Sequence, residues 1–532
     1  MNLTAIPFEK TGYFSKTICD YLEQSSALQN FYHRFPTLEN FKAQIQEKKN
    51  SSTLTKESRA TLVATLEKQY GNIEASGETI KNIQLLAKEN TFTITTGHQL
   101  NLFTGPLYFL YKIISTINLC EELAKTYPDE NFVPIYWMAT EDHDFEEINY
   151  FNFEDKKVQW NSAQTGAVGR FSTDGLEEVF ATFSKHLGNS ERAIKLKELF
   201  TEAYLNNDNL ADATRYLANE LFKDYGLVIV DADDKDLKRL FIPYVEKELF
   251  ESTSFKEVSS TIKELGIDYK IQVNPREINL FYIDEGIRER IIKTDAVFTI
   301  NNTNKVFTSE EIQKELEKHP ERFSPNVIMR PLYQEVILPN LCYIGGGGEL
   351  AYWLELKSYF DNVKVTFPML LLRNSVQVVS EKQQKKLEKK NISINEVFLK
   401  QQELVNTKIK DASMFTIDFT EQKKILQNQF DTLREIATQT DVSFIGAVNA
   451  QERKQIKGLE NLEKRLLKAE KRKHAELVTL ITNLQNELFP NQSLEERQRN
   501  FSEYYLEYGE SFIQILKDNL KPLDLTFSVF TI

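Results

Sequence analysis

The run Thr140-Glu141-Asp142-His143-Asp144 is the densest set of ionisable residues after any apolar strand-like stretch in the chain. Crowded carboxylates can hold a divalent ion, orient an amine, or raise one another's pKa until one acts as a base. The bland alternative is a solvated loop in which Asp142 or Asp144 caps the next helix. A second cluster, Thr95-Thr96-Gly97-His98-Gln99, offers a glycine, hydroxyls and side-chain donors where a phosphoryl group could rest, or it is only a polar turn. A third, Gly345-Gly346-Gly347-Gly348-Glu349, has the layout of an anion cradle before a helix but matches neither G-x-G-x-x-G nor the P-loop pattern. Glu349 there would repel a phosphate and suits an amine or a ribose hydroxyl. Asn326, Arg330, Gln334 and Glu335 stand within the apolar stretch NVIMRPLYQEVILPN, which reads either as a lined pocket or as a buried Arg330–Glu335 pair joining domains.

The elements that must position these clusters share one grammar. TFTITT, NFVPIYWMA, GLVIVDADD, LCYIG and VKVTFPMLLL read as apolar strands, most of them followed by a helical pattern. Strands alternating with helices predict a parallel sheet, whose ligands sit at the carboxyl ends of its strands, and the clusters follow strand ends. KIQVNPREINLFYID and DAVFTI look like antiparallel hairpins, so an inserted subdomain is expected at about 235–325. The expected organisation is a helical N-terminal layer over 1–90, a Rossmann-like core over 91–375, an α-helical coiled-coil domain over 376–490, and C-terminal helices over 491–532 that pack on the body. After Ser443 the apolar positions recur at threes and fours up to Leu488, with Lys473 filling a gap, which predicts one long helix in a hairpin or coiled coil.

Composition narrows the function classes. The 532 residues carry 65 Lys and Arg against 78 Asp and Glu, a formal charge of −13, which disfavours non-specific grip on nucleic acid. The lysine-rich runs at 382–390 and 465–473 read as wet helix faces, and Tyr504, Tyr505 and Tyr508 as core. Three cysteines without a paired spacing and six scattered histidines give no metal-ligand pattern. No basic-then-apolar leader and no long apolar run occur, so a cytoplasmic protein without a membrane segment is expected.

TGHQLNLFTGPLYFLYKIIS, VPIYWMATEDHDFEEIN, NVIMRPLYQEVILPNLCYIGGGGELAYWLELK, ENLEKRLLKAEKRK and LEERQRNFSEYYLEYG together closely resemble the bacillithiol biosynthesis cysteine-adding enzymes, across nearly the whole chain and in the same order. The resemblance implies an α/β fold with a Rossmann-type core related to class I synthetases and nucleotidyltransferases, inserted connecting subdomains, and a coiled coil through which a homodimer forms. It implies amide formation between cysteine and glucosaminyl-malate, with ATP as the expected activator, Mg²⁺ left open, and an acyl-adenylate or an acyl-phosphate between. Thr96, Gly97 and His98 would then hold nucleotide phosphates together with Gly345 to Gly348 and Arg373. Gln99, Glu141, Asp142, His143 and Asp144 would serve catalysis on the acceptor side. Asn326, Arg330, Gln334, Glu335, Glu349 and Tyr352 would bind substrate, Arg330 being suited to a malate or cysteine carboxylate. His98 stands where many members carry glutamine, the glycine run where a proline is common, and no Lys-Met-Ser-Lys-Ser loop follows Leu372. A nucleotide-binding, RNA-interacting or assembly protein and a metal-dependent nucleotide hydrolase are the alternatives from other classes.

Overall fold

The computed structural model describes residues 2–532. Five strands build the central sheet: β1 (Thr91–His98), β2 (Asn131–Met138), β3 (Val228–Asp231), β4 (Asn340–Gly345) and β5 (Met369–Leu372). They lie in the order β5-β4-β1-β2-β3 and every pair is parallel. The strands are covered on both faces, which is why they read as nearly continuous apolar runs. The threonines of β1 are buried too, and their hydroxyls zip the sheet: Thr93 and Thr95 reach Asn340 Oδ1 at 3.3 and 2.9 Å, and Thr96 donates to the Ile344 carbonyl at 2.7 Å. Pro134 is tolerated inside β2 because β3 pairs only from Ile135 onward, leaving that edge open at the proline. Strand order reverses between β1 and β4, so a crevice opens at their carboxyl ends.

β1 runs through Gly97 and His98, two residues past its expected end, so the loop proper begins at Gln99. Helix α1 (Tyr108–Thr126) crosses from β1 to β2 and is buried along most of its length, including its one interior lysine, Lys112. Between β2 and β3 lies an insertion absent from the sequence reading, a short hairpin (Tyr150–Phe153 with Lys156–Gln159) and helices that include Leu210–Phe222. Its strands have four residues each, too short for periodicity to declare. The expected insertion before β4 is present as a five-stranded antiparallel sheet that includes Leu280–Asp284, Ile287–Thr294 and Phe323–Pro325.

Beyond β5 the chain forms a helical arm. Helix α2 (Thr420–Thr438) packs on α3 (Val442–Lys473) around Phe430, Ala437 and Val448. The long helix expected to reach Leu488 instead breaks at His474, whose ψ of 34° is non-helical, and resumes as Ala475–Leu488. The C-terminal helices meet the core at α1, where Asn118 Nδ2 donates to the Lys517 and Leu520 carbonyls at 2.8 and 2.6 Å, and within the segment Tyr504 stacks on Phe512 at 4.6 Å. Both chain ends add strands that the sequence reading lacked: Asn2–Ile6 pairs with Phe527–Thr531, which pairs with Val376–Val379. Among the described residues no helix is long and apolar enough to cross a membrane.

Candidate active site

Along the carboxyl edge of the sheet the loops present unlike groups in a row. At the switch point, Gly97, the last residue but one of β1, lies so close to its neighbours that a Cβ there would stand 3.1 Å from the Tyr343 hydroxyl and 3.8 Å from Arg330 Nη1. Glycine is needed here for space. Beneath it, Lys112 Nζ donates to the Gly97 carbonyl at 2.6 Å and pairs with Glu349 at 2.6 Å. Burial pulls the Lys112 pKa down against the pull of Glu349. Burial pushes the Glu349 carboxyl up, but Lys112, the Gly346 N–H and the Tyr343 hydroxyl outweigh it and hold the group below its ordinary range.

Arg330 projects into this crevice between Trp137 and Tyr343, 5.8 and 5.6 Å from their rings, beside Tyr352. Gln334 accepts from Arg330 Nη1 at 3.1 Å and so fixes its orientation, while Nη2 is buried without a protein partner. Asn326 stays outside the crevice: its Oδ1 accepts from the Ile328 and Met329 N–H groups, building the turn that launches the Arg330 helix. Glu335 is remote as well. It is fully buried with Lys48 at 3.2 Å and Asn340 at 2.6 Å, so the pair imagined between Glu335 and Arg330 is a Glu335–Lys48 pair.

Arg373 closes the far side, but its guanidinium grips Glu496 of the C-terminal segment through Nη1 at 3.0 Å and Nη2 at 2.6 Å. Only Nε, buried and unpartnered, faces the position of Gly346. Arg330 and Lys112 place two further cations near the loop. In the glycine run, Gly345 leaves room for Leu350 and Tyr343, Gly346 gives its N–H to Glu349, Gly347 abuts Ile18, and Gly348 faces open space. The Thr96 hydroxyl is inside the sheet, committed to Ile344.

His98 is buried against Tyr108 and Phe109, and burial, then Lys112, push its pKa down to about 3. The ring is neutral at working pH and faces inward. Its Nε2, Asn101 Oδ1, Thr104 Oγ1, Tyr136 OH and Thr214 Oγ1 are unpartnered atoms of residues that line one small cavity behind the loop. That loop is strained, with φ of 48°, 67° and 62° at Phe103, Thr104 and Gly105. Asn500 clamps it, donating to the Phe103 and Gly105 carbonyls at 2.7 Å each.

On the other side of β1, Gln99 donates to Asp142 at 3.0 Å and Glu147 at 2.9 Å. Asp142 also accepts from the His143 N–H at 2.8 Å, so it is partly engaged in its own loop, with its side chain 31% exposed. Asp144 is exposed at the start of the short helix Phe145–Ile148 and makes no capping bond. Glu141 turns inward to Lys238, which also lies 3.7 Å from Asp233; Arg170 holds Asp233 at 2.7 Å. Burial pushes Glu141 up against the pull of Lys238, and burial, then Asp233, push Asp231 up. Lys238 and Arg170 overcome burial at Asp233 and hold it low. Sequence reasoning missed Lys112, Tyr343, Lys238, Arg170 and Arg288. A lone lysine inside YFLYKIIS was a usable signal for the first; the others carry none. Among the described residues no group of three or more His, Cys, Asp and Glu is placed to hold a metal ion.

The family model described as Bacillithiol biosynthesis BshC, N-terminal Rossmann-like domain, matches residues 1–374, and that described as its C-terminal coiled-coil domain matches 376–532. A relative from Flavobacterium johnsoniae, named "Putative cysteine ligase BshC", is 61% identical over 532 residues and covers 100% of both chains. Relatives of the same name from Flavobacterium psychrophilum and Christiangramia forsetii are 59% and 57% identical, covering 99% and 100% of this chain and 99% of their own. With both domain models matched in order and the relatives aligned end to end, the chain belongs to the bacillithiol biosynthesis BshC family.

Proposed function

We propose that the chain is an amide-forming ligase that joins the carboxyl group of cysteine to the amine of glucosaminyl-malate, completing bacillithiol. The observation that carries this reading is the pairing of two unlike sites on one sheet edge: a donor-rich wall holding the unpartnered Arg330 Nη2 and Arg373 Nε, and next to it the acidic loop at Asp142. The names of the relatives support the cysteine donor. A free carboxylate does not acylate an amine in water, so ATP, with Mg²⁺ as its counter-ion, is the expected cosubstrate and a mixed phosphoric anhydride the expected intermediate. Placed N–H donors stabilise charge as it develops on such a group. The residues fit one phosphoryl or carboxyl group better than a triphosphate cradle, because Gly346 N–H already serves Glu349 and Arg373 is mostly committed to Glu496. Asp142, partly exposed and oriented by Gln99, is the group suited to take a proton from the acceptor's ammonium, so that the freed amine can attack the activated carboxyl.

The same reading includes a homodimer through the helical arm, whose Ile425, Leu433, Ile436, Phe444 and Leu462 are 57, 42, 51, 50 and 53% exposed. The test is synthesis: purified protein with ATP, cysteine and glucosaminyl-malate should yield the thiol amide by mass spectrometry, with loss of product when any component is omitted. No amide from the complete mixture overturns the proposal. Light scattering that finds a monomer at micromolar concentration overturns the dimer.

A further inference from the structure

The inserted antiparallel sheet reaches over the acidic loop with a cation that no acid neutralises at contact distance. Arg288, near the start of strand Ile287–Thr294, lies 4.1 Å from the centre of the Phe281 ring on the neighbouring strand. His143 packs against the same ring at 5.3 Å, and Arg288 Nη1 donates to His143 Nδ1. Arginine has no acceptor, so this bond makes Nδ1 the acceptor and leaves the imidazole proton on Nε2. The pair therefore turns only donors outward, and the His143 side chain is 48% exposed. Arg170 and Arg373 on the same sheet edge each grip a carboxylate, Asp233 and Glu496. Among the described residues no carboxylate lies within 4 Å of Arg288, whose other bond is a long one from Nε to Ser324 Oγ at 3.4 Å. The hairpin is also pinned where it matters: Thr165 donates to the Gly286 carbonyl at 2.9 Å, two residues from Arg288, and a Cβ on Gly166 would stand 3.1 Å from the Gly286 carbonyl carbon.

We infer that Arg288 and His143 form a receptor for a carboxylate of the amine acceptor, supplied by the inserted sheet and separate from the Arg330 wall. The inference rests on the ligase reading. A carboxylate is favoured over a phosphate chain because Asp142, Glu141 and Asp233 face Arg288 from the core and would repel several added negative charges. A molecule that carries an amine beside a carboxylate satisfies both sides, the amine toward Asp142 and the carboxylate on the guanidinium fork.

The test uses the full chain with L-malate as the carboxylate probe, inorganic phosphate and pyrophosphate as a second arm, and steady-state amide synthesis. Malate should raise the melting temperature of the native protein, and Arg288→Met should abolish that rise. The same variant should raise the KM for the amine acceptor roughly 10- to 100-fold while leaving the KM for cysteine unchanged. Arg288→Lys keeps the cation on Phe281 but loses the fork and should fall between; it and His143→Ala carry the test if the methionine variant fails to fold. Malate protection that survives in Arg288→Met or is undiminished in Arg288→Lys, absence of malate protection in the native protein, or an Arg288-dependent rise with phosphate alone each overturns the receptor. Failure of the two readings is distinguishable. If no amide forms yet malate protection depends on Arg288, the receptor stands without the ligase; if amide forms with an unchanged acceptor KM, the ligase stands without the receptor.

Discussion

Glu496→Gln removes a charge whose side chain is completely buried and whose two oxygens meet the two Nη atoms of Arg373 at 2.6 and 3.0 Å. The guanidinium is then left inside the protein without a counter-ion, a loss of about 3–5 kcal/mol in comparable buried pairs. Arg373→Met costs a similar amount for the mirrored reason, because Glu496 keeps only the Ser375 hydroxyl at 3.4 Å and the Val376 N–H at 3.3 Å. The double replacement Arg373→Met, Glu496→Leu removes both charges and leaves two apolar groups facing each other, so its cost should fall short of the sum of the Arg373→Met and Glu496→Leu single losses by about 2 kcal/mol or more. Urea unfolding of these variants and of Glu496→Gln, followed by far-UV circular dichroism with a common m-value, reads all the differences. Single losses below about 1 kcal/mol, or a double variant that is simply additive, would refute the view that this pair fastens the C-terminal segment to the Rossmann core.

Asp142→Asn should lower amide synthesis roughly 10²- to 10⁴-fold while Asp144→Asn stays near the native rate, which kinetics at saturating substrates decides; equal losses would remove Asp142 from its role. His98 has a folded pKa pushed down to about 3, so its contribution to stability is full above its unfolded value near 6.5 and is lost as pH falls below it, by about 3 kcal/mol at pH 4.5; His98→Gln should flatten that part of the urea-midpoint profile. Glu355 has the opposite sign. Buried, with the Gln272 and Val273 N–H groups as partners, its carboxyl is pushed up to about 7, so stability is full below its unfolded value and falls by about 3 kcal/mol as pH rises from there to about 7, a slope that Glu355→Gln should remove. Lys112→Met takes away the main charge that holds the Glu349 carboxyl low, and the acidic limb of the pH–rate profile should move upward if Glu349 acts ionised.

The parallel sheet was legible because four of its strands are apolar runs that end in glycine or acidic clusters, and a buried parallel strand has no other way to look. β5 was legible only in part: of Val363–Leu372 the structure pairs Met369–Leu372, since the preceding residues pack around a helix end. The terminal strands escaped because their partners are some 150 and more than 500 residues away, and a short strand has no local signature that names a distant edge. Site residues split by a similar rule. Gly97, Arg330 and Glu349 were found from local pattern, and the structure brings them together, whereas Glu335 and Arg373 have equally suggestive surroundings in sequence but are committed to Lys48 and Glu496.

That last contrast bears on how the core and the C-terminal segment depend on each other. The strained turn Phe103-Thr104-Gly105, just after the candidate loop, is held by Asn500, and the cation beside the glycine run is held by Glu496. A left-handed run at non-glycine residues costs free energy that only surrounding contacts can offset. The segment 495–500 therefore supplies part of the force that shapes the crevice while contributing no group to its open wall. Asn500→Ala should relax the turn, and because His98 and Thr104 contribute to one cavity behind it, the displacement is transmitted to β1's end. The expected signature is a fall in kcat at near-native secondary structure, with a smaller change in the KM for either substrate. A native kcat in Asn500→Ala would show that the core holds its own turn and that the coiled-coil domain is fastened to the active site without shaping it.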